Sequence, residues 1–205
     1  MNKIYSVFLL SIFGWSSASQ SQEIMYGLRA GYNYNSISGT IASSSAFASL
    51  ETGTSYSVGL ASSWDLSNGE MALPFEFQAD IEWMRLQLEG TSSSRFIPYF
   101  RAPLILRYVS GTLSIGGGGY GSLGFGKVSS TSAGTNTLET FDEVSLEKLD
   151  YGAVATFGYR IKSEDPAGGA FGIDARLYAG SKDIDKSTNI VTTKSLEISL
   201  VYFFY

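Results

Sequence analysis

Ten ionisable residues stand in stretches where polar and apolar side chains alternate: Arg29, Arg101, Arg107, Arg160 and Arg176, and against them Glu76, Asp80, Glu82, Asp174 and Glu197. Carboxylates two positions apart, as at Asp80 and Glu82, share one face of a strand and could divide acid and base work between them. Five arginines on the same kind of face argue for another use. A guanidinium fork holds carboxylates bidentately, so equal numbers of the two make an ionised structural network. The chain has no histidine and no cysteine. Ser–His catalysis, imidazole sites, disulfides and a lipid anchor on cysteine are thereby excluded. No catalytic residue, metal or cofactor is expected, and the chain is not read as an enzyme.

Two further motifs fail their context. Gly119-Tyr120-Gly121-Ser122-Leu123-Gly124 satisfies Gly-x-Gly-x-x-Gly but lies inside a strand pattern and opens no helix. Asp183 to Asn189 is similar to a calcium loop, yet it lacks the central glycine, and Lys194 stands where the bidentate glutamate belongs. A solvated loop is the expectation there. Asp142 and Glu143 with Glu147 and Asp150 could gather a divalent ion, or simply keep a loop soluble.

The elements that must position the charges read as strands. Period-two alternation runs through Tyr26–Tyr34, Tyr56–Ala61, Phe75–Trp83, Phe100–Tyr108, Tyr151–Arg160, Phe171–Tyr178 and Ser195–Phe204, and a glycine-rich stretch from Leu113 to Phe125 makes eight. Connections alternate in length. Asn35–Thr54, Lys127–Leu149 and Ser181–Thr193 are long and polar, Glu89–Arg95 is shorter, and Asp65–Glu70, Ser110-Gly111 and Ser163–Gly169 read as tight turns. An all-β, eight-stranded antiparallel up-and-down transmembrane β-barrel has this rhythm, with both termini at the short-turn end.

Residues 1–21 read as a signal peptide. Lys3 precedes the apolar run Ile4–Trp15, and small residues follow at Ser16–Ser19, with cleavage expected between Ala18 and Gln22. Residues 22–205 then form one barrel domain. Charged residues are only 16% of the 205 and the net charge is −5, which gives no basic footprint for nucleic acid.

Alternation alone does not choose the outward face. The ten charges do. A wet outer face would use lysine freely, whereas Lys127, Lys148, Lys162, Lys182, Lys186 and Lys194 are expected only at strand ends or in loops. A cramped polar interior prefers arginine. The polar face is therefore read as lumen and the aromatic face as lipid-facing, with Tyr26, Tyr34, Trp64, Trp83, Tyr108, Tyr151 and Tyr159 in interfacial girdles.

The segments Tyr99-Phe100-Arg101-Ala102-Pro103-Leu104-Ile105-Leu106-Arg107-Tyr108, Leu149-Asp150-Tyr151-Gly152 continuing to Gly158-Tyr159, Asp174-Ala175-Arg176-Leu177-Tyr178-Ala179-Gly180, and more loosely Gly116–Gly121, resemble strands of the PorT-like outer-membrane β-barrels. The resemblance covers residues 23–205. It implies a bacterial outer-membrane location, and recognition of the aromatic terminus, Phe204 and Tyr205, by the barrel-assembly machinery. The expected partners are outer-membrane lipid, that machinery, and a protein bound by the long loops outside the cell. The expected role is structural or accessory, with the lumen closed by charge. The alternatives are a narrow pore for ions or small solutes and a soluble periplasmic barrel holding an apolar ligand.

Overall fold

A computed structural model describes residues 24–39, 52–66, 74–90, 93–163, 169–186 and 191–204. Residues 1–23, which hold the expected signal peptide, and Tyr205 lie outside this set. The described residues form ten strands: β1 (Ile24–Gly39), β2 (Thr52–Asp65), β3 (Phe75–Glu89), β4 (Ser93–Ser110), β5 (Leu113–Gly124), β6 (Val128–Ser132), β7 (Thr135–Glu139), β8 (Leu149–Lys162), β9 (Ala170–Gly180) and β10 (Val191–Phe204).

Eight of them make the barrel. The ladder runs β3-β2-β1-β10-β9-β8-β5-β4, and β3 pairs with β4 to close it. Every pairing is antiparallel, including the closing one, where Phe75 faces Tyr108 and Glu89 faces Ser94. Closure removes the unpaired edges that an open sheet of this length would expose. The remaining two strands form a hairpin, whose β6 pairs with the first residues of β4.

The strands outrun the alternation that marked them. β1 continues to Gly39 and β2 starts at Thr52, inside the segment read as a long loop, and Lys127–Leu149 contains the β6–β7 hairpin. Past the apolar band both faces of a strand meet water or loops, so hydrophobicity no longer records the period. The ladder continues because backbone N–H and C=O groups still need partners. Lys194 accordingly lies within β10, on the outward face toward its loop end.

Candidate functional site

The interior is built from the inward residues of the alternating strands. All ten predicted ionisable residues point into it, and only Arg160 and Glu76 keep appreciable side-chain contact with solvent. Arg107 donates from both terminal nitrogens to the two oxygens of Asp174, at 2.9 and 2.8 Å. Arg29 reaches the same carboxylate at 2.6 Å, lies 3.3 Å from Asp80, and donates to Ser199. Arg176 bridges Glu82 at 2.7 Å and Asp80. Arg101 grips Glu82 at 2.7 and 2.9 Å, donates to Glu197, and lies 3.6 Å over the Tyr178 ring.

These residues come from β1, β3, β4, β9 and β10, so the network ties opposite walls together. Arg160 of β8 forms a separate bidentate pair with Glu76, at 2.6 and 3.0 Å, nearer the short-turn end. Asp80 and Glu82, the pair that could have shared acid–base work, are each held by more than one arginine. Charge-assisted hydrogen bonds of this kind are shorter and stronger than neutral ones. Gly158 makes room for the layer, because a Cβ there would meet Asp174 Oδ1, Ser114 Oγ and Arg107 Nη1 at 2.5–2.8 Å.

Above the charges, at the long-loop end, the interior turns apolar. Met84, Leu86 and Leu88 of β3 and Ile97 and Tyr99 of β4 point inward and pack with Val128, Phe141, Val144, Leu146, Ile184 and Val191. The segment after β7 and the one after β9 thus fold into the mouth. The Phe141 ring meets Tyr99 edge-on at 6.2 Å and sits over Gly124, whose missing Cβ is the space it uses. Between this cap and the charged layer lies a space of about 20 Å³, lined by Asp150, Ser195, Tyr120 and Tyr178 among others. That is on the order of one water molecule. A pocket of about 260 Å³ opens at the opposite end, with Arg160 and Glu76 among its walls.

The mouth corrects the solvated-loop reading of Asp183–Asn189. Ile184 and Asp185 are buried, and Asp183 accepts from the backbone N–H groups of Asp185 and Val191 at 3.1 and 2.9 Å; residues 187–190 lie outside the described set. The four acids weighed as a metal cluster do not converge. Asp142 pairs with Lys186 at 2.6 Å, Glu143 with the Thr140 backbone, and Asp150 accepts from Tyr120 and Thr193. Among the described residues no group of three or more such ligands forms.

Sequence reasoning missed the cap, although β3 carries its signal. Apolar residues occupy odd positions from Phe75 to Trp83 and then even positions at Met84, Leu86 and Leu88. That inversion of phase marks where apolar side chains pass from the outward face of the wall to the inward one.

Aromatic side chains stand along the outer wall. Outward aromatics stand eight positions apart on five strands: Tyr26 and Tyr34, Tyr56 and Trp64, Phe75 and Trp83, Phe100 and Tyr108, Tyr151 and Tyr159. The nine residues so bracketed match the roughly 9–11 that a tilted strand needs to cross a hydrocarbon core. Trp83 faces Phe100, and Phe75 faces Tyr108 at the other end of the same pair. Trp64 is half-buried against Phe77, while Tyr26, Tyr34, Trp83, Tyr108, Tyr151 and Tyr159 are exposed. Phe204 is outward and in step with Tyr202. The wall between the girdles, including Leu28, Leu60, Leu104, Phe157 and Leu200, exposes its apolar side chains.

Known structures share this architecture. The chain superposes on the eight-stranded barrel of Neisserial surface protein A with a TM-score of 0.55 and 11% identity, covering 86% of this chain and 96% of that one. It also matches Ail, the attachment invasion locus protein of Yersinia pestis (12% identity, TM-score 0.46, 89% and 99% covered). The outer membrane protein OprG of Pseudomonas aeruginosa matches at 10% identity and a TM-score of 0.47, with 90% and 97% covered. No protein-family model and no curated protein matches the sequence. At these identities the likeness is one of fold.

Proposed function

We propose that this chain is a bacterial outer-membrane barrel with a sealed lumen that acts from its long-loop end as a binding scaffold, and neither conducts nor catalyses. One observation carries the reading: charges fill the interior while the outside is an apolar wall bounded by aromatics. A soluble barrel with an apolar ligand inside needs the reverse. On this reading residues 1–21 direct export, Phe204 and Tyr205 serve recognition by the assembly machinery, and the strand motifs resemble those of the PorT-like barrels.

The sealed lumen is supported by two stacked closures, the arginine–carboxylate layer and the apolar cap. The binding role is supported by the β6–β7 hairpin. β7 is the terminal strand of a sheet that is otherwise closed, so among the described residues one side of its backbone has no neighbouring strand. Leu138, two-thirds exposed, projects from it. An extended partner segment adds to such an edge by main-chain hydrogen bonds. Planar-bilayer recording tests the reading. Purified protein is expected to give no sustained conductance and to resist alkaline extraction from outer membranes. Stable open channels, or recovery in the soluble periplasm without detergent, would overturn it.

A further inference from the structure

Six of the seven arginines point inward; Arg85 does not. Across the eight barrel strands, the charged residues whose described side chains lie on the outward face are Arg85, Glu89 and Lys194, all toward the long-loop end. Arg85 is the deepest of them on β3, two residues beyond the girdle tryptophan Trp83. Its guanidinium lies over the Phe96 ring, 5.4 Å from the centroid, and no carboxylate among the described residues is within ion-pair distance. Glu89, the outward acid nearest on its own strand, instead accepts from Gln87.

The surroundings are rich in donors. Ser57 faces Met84 and Thr52 faces Glu89, a register that sets Tyr56 beside Arg85 on β2. Tyr56 is the most exposed of the large outward side chains, at 72%, and its ring is braced edge-on by Tyr32 at 5.4 Å. Guanidinium, phenol and indole therefore share one patch at the rim of the apolar band. A lone cation on this wall is tolerated near the interface and costly deeper in. At that level a membrane offers it headgroup phosphates, and a planar fork matches phosphate geometry.

We infer that Arg85, with Tyr56 and Trp83, forms a binding site for the phosphate of an outer-leaflet lipid, which fixes the barrel's depth and rotation in the membrane. The inference rests on the membrane reading above. Lys194, outward on β10 at the same end, extends the cationic rim toward a neighbouring headgroup.

The test compares wild-type protein with Arg85→Gln in detergent micelles by native mass spectrometry, titrating bisphosphorylated lipid A, its dephosphorylated form and phosphatidylcholine. Wild type is expected to retain lipid A about three- to tenfold more tightly than the dephosphorylated lipid, as for one charge-assisted contact. Arg85→Gln should erase that difference, and Arg85→Lys should keep part of it. Heat-modifiable migration, which reports the folded barrel, should be alike in all three. Equal retention of all lipids by wild type, or a preference undiminished in Arg85→Gln, would overturn the site. Failure of wild type to insert into vesicles at all would instead overturn the membrane reading.

Discussion

The interior is filled by opposite chemistry at two levels. In the middle of the barrel, charges from five strands hold one another across the lumen, each fixed by at least one partner and most by two or more. At the mouth, strand ends and two loops bury an apolar cluster around Phe141, Leu146 and Ile184. On the membrane reading proposed above, the difference follows from what lies outside the wall. Where the outside is apolar, inward positions are the only polar ones and ionic pairing satisfies them. Where the outside is aqueous, the hydrophobic effect again favours apolar residues within. The layer is expected to tolerate loss of a charged partner poorly, and the cap to open locally.

The sharpest way to break the comparison is to orphan part of the charged layer. Arg176→Met leaves Asp80 and Glu82 short of a partner in a buried site, and should cost roughly 3–5 kcal/mol of barrel stability by urea unfolding in micelles. A loss below about 1 kcal/mol would mean that the carboxylates are not held as ionised pairs. Phe141→Ala should cost about 3 kcal/mol, but only locally. Hydrogen exchange and protease cleavage should rise between residues 125 and 148, while the barrel midpoint barely moves and the conductance stays at zero. Global unfolding in step with the cap would merge the two regions into one cooperative unit.

A subtler contrast uses the separate pair. Glu76→Leu or Arg160→Met alone should destabilise by roughly 1–2 kcal/mol, given partial solvent contact. The double change should recover most of that, since a matched apolar replacement leaves no charge unpaired. A double-mutant cycle in urea measures it. The smallest effect belongs to the cap's outer tether. The hydrogen bond and charge of Lys186 hold the fully exposed Asp142 carboxyl below its ordinary value. Its contribution is therefore complete above that ordinary value and fades as pH falls through the lowered one. Faster exchange around residue 142 below about pH 4, reproduced by Asp142→Asn at neutral pH, would show the tether.

Legibility differed between the same regions. The charged layer was readable because period-two alternation is local, and the preference for arginine over lysine on one face identified that face as the interior. The cap was not, because its loop residues, Phe141, Val144, Leu146 and Ile184, obey no period and sit among serines, threonines and acids. The phase inversion at Trp83 and Met84, repeated on β4 between Tyr99 and Phe100, was its local sign. The hairpin was hidden for the same reason. Val128–Ser132 and Thr135–Glu139 are polar strands whose pairing is written in backbone groups and not in hydrophobicity.

By itself the sequence determined an eight-stranded barrel and which face of each strand looks inward, because both depend on residue types two positions apart. The tertiary structure alone decided which arginine meets which acid, since the partners Arg29 and Asp174 lie 145 residues apart. They meet only once the strand register and barrel closure are set. It decided equally that two polar-looking loops turn back into the mouth, because burying Phe141 requires a glycine floor on one strand and a tyrosine wall on another.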